Sequence, residues 1–255
     1  MGSWQGAARI GRNCLETIQT SEVFANMSKK ALVVMAKRPF PGHSKTRLTP
    51  PFSAEAAAAL YESFLKDTLH LVRTTAAAVP FVAYTPTGVE TVAYFRSLAP
   101  DFELIAQHGR TLGERLDSVL SGLLNNGFNQ VAAINSDSPT LPQVYLDEAF
   151  NRLDDPKIDV VLGPCDDGGY YLIGWKRAHP RLVREVQMST DQVLADTLAI
   201  AAEEKLNVSL LPPWYDVDDM ADFERIQRDI AANPDVAVYT RRNLRERITT
   251  LGQVE

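Results

Sequence analysis

Cysteine and histidine are scarce in this sequence, which limits the kinds of metal or redox centre it can build. Two cysteines and four histidines occur among 255 residues. Cys14 and Cys165 are far apart, and neither belongs to a CxxC pair or to a Cys/His cluster with zinc-ligand spacing. The usual zinc motifs are therefore excluded, and the reduced cytoplasm is the expected compartment.

Long hydrophobic runs and an excess of positive charge are also missing. No apolar stretch approaches the roughly 18 residues that a membrane-spanning helix needs, so membrane insertion is not expected. The formal net charge of −6 argues against a dedicated nucleic-acid binder, because such proteins usually carry a basic patch on a basic domain. An anionic ligand must therefore meet a local group of cations.

The first 26 residues differ in pattern from the rest of the chain. Residues 1–26 have no continuous apolar segment and no clean hydrophobic period, so they do not resemble a signal peptide. Met27 directly precedes the first strong strand and is the better start. We expect 1–26 to be an extension, either disordered or a cloning remnant, and 27–255 to form a single domain. A partner-binding role for the extension is the alternative.

From Ala31 onward, short apolar segments alternate with segments of helical period. The segment 166–169 joins two strands with no room for a crossover helix, which predicts an antiparallel hairpin there. The other strand-helix-strand units favour parallel pairing, so the predicted fold class is α/β, a three-layer sandwich with a mixed, mainly parallel sheet. Strands are predicted at 31–36, 81–85, 103–107, 130–134, 159–163, 170–175 and 208–212. Helices are predicted at 54–77, 89–98, 112–125, 143–153, from a capping box at 189–192 to about 205, at 219–230 and at 241–247.

The loop after the first strand concentrates positive charge. Lys37, Arg38, Lys45 and Arg47 lie within eleven residues of an acidic protein, and Gly42 lies between them. Ligands of parallel α/β folds bind outside the carboxyl ends of strands, so these cations predict a polyphosphate site. A solvated surface loop is the alternative. A phosphate-binding P-loop is excluded, because Pro39 and Ser44 occupy both required glycine positions.

Two acidic segments are candidates for binding a divalent metal. Asp137 directly follows the fourth strand, where its carboxylate can reach a cleft and bind a hard cation; otherwise it caps a turn. Asp216 and Asp218 point to the same side of an extended backbone, which makes them a possible pair of ligands, whereas Asp219 is better placed as a helix N-cap. At least one of these three acids is expected to be structural.

Two further loops carry groups that can contact a substrate. Asp166, Asp167, Gly168 and Gly169 combine hydrogen-bond acceptors with backbone that permits close approach, or form a simple hairpin turn. The segment 107–115, with Gln107 at its start and Arg115 at its end, lines a nucleotide pocket or is a capped loop with a salt-bridging arginine.

Five segments taken in order resemble a bacterial family labelled glycosyltransferase-A-like, or radical-SAM/selenodomain-associated transferase. The matching phrases are KRPFPGHSKTRL, QHGRTLGERL, NSDSPTL, GPCDDGGYYLIG and DVDDMADFE, and the resemblance covers essentially 30–230. Through KTRL and the late Asp-Val-Asp phrase, the chain is also similar, more weakly, to phospholactate guanylyltransferase-type nucleotidyltransferases. The resemblance implies a nucleotide-diphospho-sugar transferase fold.

By position, the resemblance implies that Lys45 and Arg47 contact nucleotide phosphates and that Asp137 and Asp218 bind Mg²⁺ or Mn²⁺. The nucleotide site is expected to include Lys37, Arg38, Gly42, Gln107 and Arg115, and the small-molecule acceptor is expected at 166–169. Sugar nucleotidyltransferases have paired glycines after the first strand, and this chain has only Gly42 there. Nucleotidyl transfer from a nucleoside triphosphate is the leading hypothesis, with glycosyl transfer from a nucleotide sugar and a non-catalytic nucleotide-binding module as alternatives.

Overall fold

The computed structural model describes residues 30–75 and 78–251, without the side chains of 247–251. The predicted extension at 1–26, Met27 and Cys14 lie outside the described residues, as do the last two positions of the helix predicted at 54–77. A short 3₁₀ turn, Thr46–Leu48, follows the first strand. The strands are β1 (Lys30–Lys37), β2 (Val79–Thr85), β3 (Glu103–Ala106), β4 (Gln130–Ile134), β5 (Val160–Pro164), β6 (Tyr170–Trp175) and β7 (Val208–Leu210). The helices are α1 (Ala54–Thr74), α2 (Val89–Leu98), α3 (Leu112–Asn125), α4 (Gln143–Asp154), α5 (Arg181–Arg184), α6 (Val193–Glu203), α7 (Met220–Ala232) and α8 (Val238–Leu251).

The seven described strands form one sheet in the order β3-β2-β1-β4-β6-β5-β7. β1 is parallel to β2 and β4, β2 is parallel to β3, and β5 is parallel to β7. β6 runs antiparallel to both β4 and β5. The mixed, mainly parallel sheet and the β5–β6 hairpin are therefore confirmed, and the short connection between these two strands explains the antiparallel pairing.

Helices cover both faces of the sheet and create two hydrophobic layers. In β1, Leu32 and Val34 pack with α1, α2 and α4, whereas Ala31 and Val33 pack with α3, α5 and α6. All four are fully buried, as a central strand covered on both faces requires. Burying one large aliphatic side chain stabilises the fold by about 1.5–3 kcal/mol. Of the described helices, none is long and apolar enough to cross a membrane.

Helix ends show where local sequence chemistry is decisive. The hydroxyl of Ser53 accepts a hydrogen bond from the Ala56 amide at 3.1 Å, which confirms it as the N-cap of α1. Asp219 caps α7 as predicted. The capping box predicted at 189–192 is wrong. The Gln192 amide, which the box would pair with Ser189, instead donates to the Thr190 hydroxyl at 3.4 Å, and α6 begins at Val193 without a side-chain cap.

The C-terminal helix is confirmed but is not only a surface element. The buried carboxylate of Asp67, in α1, accepts hydrogen bonds from the amides of Tyr239 and Thr240 at 2.9 and 2.8 Å and from the Thr240 hydroxyl at 2.6 Å. These bonds satisfy amides that the first turn of a helix leaves unpaired. The first turn of α8 is therefore fixed against α1.

Candidate functional site

The cationic loop and Asp137 meet because their strands are neighbours. β1 and β4 are parallel and adjacent, so the loops that leave their carboxyl ends emerge at the same edge of the sheet. The first loop carries Lys45, and the second carries Asp137. The two segments therefore lie together, at the edge of the sheet where ligands of parallel α/β folds bind.

Asp218 reaches the same place although β7 lies at the far edge of the sheet. After β7 the chain continues along β5, where Trp214 donates to the Pro164 carbonyl at 3.0 Å and receives a hydrogen bond from the Asp166 amide at 3.1 Å. The Val217 amide then donates to the Asp137 carbonyl at 3.0 Å. This extended segment brings Asp218 to the loop that follows β4.

The Lys45 ammonium lies between the two acids. Its Nζ is 3.1 Å from Asp137 Oδ1 and 2.7 Å from Asp218 Oδ1, and its side chain is 6% exposed. Arg47 Nη1 lies 3.6 Å from Asp218 Oδ2, but the Arg47 side chain is 74% exposed. One cation is thus held inside the site by two carboxylates, and a second lies mostly exposed beside Asp218.

Lys45 combines an unusual backbone conformation with a raised pKa. Its φ of 48° is left-handed, a conformation that costs a non-glycine residue about 1–2 kcal/mol. Burial acts to lower the pKa of Lys45, but the carboxylates of Asp137 and Asp218 override it and hold the pKa above its usual value. Burial likewise acts to raise the pKa of Asp218, and Lys45 reverses the direction. The ion pairs therefore keep Lys45 and Asp218 charged.

These groups line a cleft of about 450 Å³ that opens at the carboxyl ends of β1, β2 and β4. Tyr61, from α1, braces the wall of this first cavity: its hydroxyl receives a hydrogen bond from the Lys37 amide at 3.1 Å and lies 2.9 Å from Ser136 Oγ. Burial and the nearby Asp137 raise the pKa of Tyr61 to about 12, so the phenol stays neutral. Tyr61 thereby links α1 to the loops that carry Lys45 and Asp137.

The donor set at Asp137 and Asp218 suits a hard divalent cation. Both residues offer carboxylate oxygens, which Mg²⁺ and Mn²⁺ prefer. Asp137 Oδ1 is buried and accepts no well-formed hydrogen bond, so its contact with Lys45 is an ion pair only. The Lys45 ammonium lies between the two carboxylates, at the position that a metal bound by both would take. The residues present therefore fit a divalent metal.

A second group that can hold a metal lies beside the first. Cys165 Sγ and carboxylate oxygens of Asp167 and Asp216 all lie within 4.8 Å of one another. Burial, together with Asp218, Asp167 and Asp137, raises the pKa of Asp216 to about 7. Asp216 thus lies with Cys165 and Asp167, whereas Asp218 pairs with Lys45, although both acids were possible members of one ligand pair.

Comparison with solved structures supplies the family. A protein from Desulfovibrio desulfuricans G20, assigned provisionally as a nucleotide-diphospho-sugar transferase, is 30% identical to this chain. The match covers 89% of this chain and 98% of the relative, with a TM-score of 0.80. The chain belongs to the glycosyltransferase-A-like nucleotide-diphospho-sugar transferases. It is therefore an enzyme of the transferase class, and the radical-SAM label stays a prediction.

Two more distant structures share the fold of this transferase. A cytidylyltransferase from Leptospira borgpetersenii serovar Hardjo-bovis (strain JB197) is 10% identical over 87% of this chain and 96% of its own, with a TM-score of 0.51. A 4-diphosphocytidyl-2C-methyl-D-erythritol synthase from Anaerococcus prevotii DSM 20548 is 8% identical over 80% and 97%, with a TM-score of 0.52. A family model described as "Uncharacterized protein conserved in bacteria (DUF2064)" matches residues 68–190, and no curated protein matches significantly.

The residues predicted to bind nucleotide are only partly brought together in the transferase. The first cavity is lined by Lys37, Lys45, Arg47, Gln107 and Arg115. The Gln107 side chain already has a protein partner, because its amide donates to the Ala83 carbonyl of β2 at 2.7 Å.

Two predicted nucleotide-binding residues do not line the first cavity. Arg38 pairs with Glu90 at 2.9 Å in a neighbouring cavity. Gly42 occupies an exposed turn with a φ of +76°. The nucleotide roles of these residues remain predictions.

The predicted acceptor loop does not line the first cavity and has internal partners. Asp166 Oδ2 is 2.6 Å from Arg225 Nη1, and the Arg225 guanidinium also lies over the Tyr215 ring at 3.8 Å. Asp167 Oδ1 accepts a hydrogen bond from the Gly169 amide at 2.9 Å. The bonds of the two carboxylates hold the hairpin to α7 and shape its turn, and the acceptor role of this loop remains a prediction.

Replacing Gly168 with Ala is expected to destabilise the transferase by about 1–3 kcal/mol beyond the cost of the same change at Gly42. Both glycines have a left-handed φ, +87° and +76°, so both variants carry similar backbone strain. A Cβ at Gly168 would lie 2.1 Å from the Asp191 carbonyl oxygen, whereas one at Gly42 has no atom within 4 Å. Urea unfolding of the two variants isolates the clash, and equal losses of stability would contradict it.

Several cleft residues were not predicted from the sequence. Ser136 and Ser189 line the first cavity, as does Leu112, a large apolar side chain that is 42% exposed. Ser136 directly precedes Asp137 in the phrase NSDSPTL, so the sequence indicated this loop but not the serine itself. Ser189 reaches the cleft through the segment before α6, where the sequence predicted only a helix cap.

Proposed function

We propose that this transferase moves a nucleoside monophosphate from a nucleoside triphosphate to a small phosphorylated acceptor and releases pyrophosphate. The observation that carries the proposal is the position of the Lys45 ammonium between Asp137 and Asp218, with Arg47 beside Asp218. Carboxylates suited to a divalent cation and cations suited to phosphate meet at one point of the cleft. Phosphoryl chemistry of this kind needs mainly positioning and charge.

Each group has a role in the transfer. An acceptor phosphate oxygen forms a bond to the α-phosphorus while the bond between that phosphorus and the oxygen of the leaving pyrophosphate breaks. Asp137 and Asp218 would hold Mg²⁺ or Mn²⁺, which supplies Lewis-acid stabilisation of the developing charge. Lys45 and Arg47 hold the leaving pyrophosphate. Because the acceptor is already an anion, no general base is required.

Glycosyl transfer from a nucleotide-diphospho-sugar is the second candidate, and the name of the 30% identical relative favours it. Such a reaction places a carboxylate near an uncharged acceptor hydroxyl. Asp166 and Asp167, the acids predicted for that position, are bonded to Arg225 and to the Gly169 amide. This arrangement favours nucleotidyl transfer. Asp137 lines the cleft, which argues against a non-catalytic nucleotide-binding module.

A thermal-shift screen tests the proposal with GTP, CTP, UTP, ATP and common nucleotide sugars, each with and without Mg²⁺. A ligand at 100 times its dissociation constant is expected to stabilise the fold by roughly 2.7 kcal/mol. We expect a metal-dependent shift with a triphosphate. Release of pyrophosphate from the best triphosphate supports nucleotidyl transfer. Release of nucleoside diphosphate from a nucleotide sugar supports glycosyl transfer. The absence of a shift with every ligand would contradict both.

A further inference from the structure

The hydroxyls of Tyr61 and Ser136 form a hydrogen-bonded pair in the wall of the first cavity. Their oxygens lie 2.9 Å apart. Both residues line the cavity, although only 5% of Tyr61 and 3% of Ser136 is exposed. Ser136 directly precedes Asp137, one of the two acids that suit a divalent cation. The pair therefore belongs to the same loop and the same cavity as the proposed metal site.

The pair carries one proton more than its protein partners accept. Each hydroxyl has one proton, and the bond between the two oxygens uses only one of them. The Lys37 amide donates to the Tyr61 hydroxyl oxygen at 3.1 Å, so it takes up no proton. In the part of the chain that the structure describes, neither hydroxyl forms a further hydrogen bond. One hydroxyl proton is thus left for a ligand in the cavity.

The remaining proton belongs to Ser136 when Tyr61 is the donor within the pair. A phenol is a stronger acid than an alcohol, so Tyr61 is the better donor and Ser136 the better acceptor. The bond from the Lys37 amide to the phenol oxygen polarises its O–H group in the same direction. Burial and Asp137 raise the pKa of Tyr61 to about 12, so the phenol keeps the proton that it donates. Donation therefore runs from the Lys37 amide through Tyr61 to Ser136 and into the cavity.

An oxygen of a phosphate group is the acceptor that suits this proton. The cavity is also lined by Lys45 and Arg47, whose positive charges favour an anion. Hydrogen bonds from a neutral donor to a charged oxygen are stronger than those to a neutral one. A buried hydroxyl gains more from such an acceptor than a hydroxyl in water does, because the local dielectric constant is lower.

We propose that the Ser136 hydroxyl donates a hydrogen bond to a phosphate oxygen of the nucleotide, and that Tyr61 is the positioning residue that directs this proton. The inference rests on the proposed function, because it takes the anion in the first cavity to be the polyphosphate of a nucleotide. Ser136 then adds a neutral donor to the cations Lys45 and Arg47. A neutral donor holds a phosphate oxygen without repelling a nearby metal ion, which a further cation would do.

Calorimetric titration of the full chain with inorganic tripolyphosphate, with Mg²⁺ present, tests the inference. Ser136→Ala should lower the affinity by about 10- to 150-fold, the range expected for a hydrogen bond to a charged group. Ser138→Ala is the matched control and should leave the affinity unchanged. Ser138 lies in the same loop and is also 3% exposed, but it does not line the first cavity, and its hydroxyl donates to Asn135 Oδ1 at 3.1 Å.

A double-mutant cycle separates the roles of the two hydroxyls. Tyr61→Phe should lower the affinity for tripolyphosphate by less than Ser136→Ala does, because Ser136 keeps its own proton. The double variant should bind as Ser136→Ala does, since Tyr61 acts only through Ser136. Losses that simply add would overturn the positioning role of Tyr61. A larger loss in Tyr61→Phe than in Ser136→Ala would overturn the inference by assigning the remaining proton to Tyr61.

Urea unfolding shows whether each variant is folded. If Ser136→Ala does not fold, Ser136→Cys replaces it, because a thiol is only a weak donor and the same loss of affinity is expected. Equal losses in the Ser136 and Ser138 variants would overturn the inference, since the change would then act through the shape of the loop. Unchanged affinity in the Ser136 variant would overturn it while the proposed function stands. Failure of the wild type to bind tripolyphosphate would overturn the proposed function as well.

Discussion

Replacing Asp137 with Asn is expected to lower turnover by about 100-fold or more, because one of the two carboxylates that hold the metal is lost. The affinity of the protein for Mn²⁺ should fall with it, and electron paramagnetic resonance of free Mn²⁺ measures this directly. Asn keeps the shape of the side chain. The Val217 amide bonds to the Asp137 backbone carbonyl rather than to its side chain, so the fold should survive the change.

Asp235→Asn is the control for charge alone, because Asp235 is an exposed acid of the α7–α8 connection. It should leave turnover and Mn²⁺ affinity as they are. Urea unfolding of both variants shows whether Asp137→Asn remains folded. An Asp137→Asn protein with unchanged turnover and unchanged Mn²⁺ affinity would exclude Asp137 as a metal ligand.

Replacing Lys45 with Met is expected to raise the affinity of the protein for Mn²⁺ and to lower its affinity for inorganic tripolyphosphate. The ammonium lies 3.1 Å from Asp137 and 2.7 Å from Asp218, so it competes with a divalent cation for the same carboxylates. Removing it should raise the affinity for Mn²⁺ alone by about tenfold or more. The affinity for tripolyphosphate should fall by about tenfold or more, because a charge-assisted contact to phosphate is lost.

Lys37→Met is the matched control for this pair of titrations. Lys37 lines the same cavity, but its Nζ donates to the His43 carbonyl at 3.4 Å rather than contacting Asp137 or Asp218. It should leave the affinity for Mn²⁺ alone unchanged. A loss of affinity for both Mn²⁺ and tripolyphosphate in Lys45→Met would show that Lys45 only maintains the loop and does not exchange with the metal.

Local signals in the sequence predict the sheet and the place where Lys45 and Asp137 meet. Alternation of strands and helices predicts parallel pairing, and parallel pairing brings the loops after β1 and β4 together. Lys45 and Asp137 are therefore predictable neighbours. The hairpin of β5 and β6 is also predictable, because a connection this short cannot cross the sheet and forces antiparallel pairing.

The remaining geometry depends on contacts that no local signal encodes. Lys45 lies between the acids with a left-handed backbone, a conformation that local propensity does not favour for lysine. Cys165 and Asp216 become neighbours because the chain after β7 extends along β5, a long-range pairing. The Gln192 amide bonds to the Thr190 hydroxyl rather than to Ser189, so the expected capping box does not form. Such competition between local and tertiary partners is decided by the whole fold.

A crystal structure of the transferase with Mn²⁺ and a non-hydrolysable nucleoside triphosphate tests the central claim most directly. The account predicts an anomalous manganese peak bonded to Asp137 and Asp218, with the Lys45 ammonium moved from between them onto the phosphates. It also predicts Arg47 on the phosphates at the mouth of the site. Manganese bonded only to Cys165, Asp167 and Asp216, with Lys45 still between Asp137 and Asp218, would contradict it.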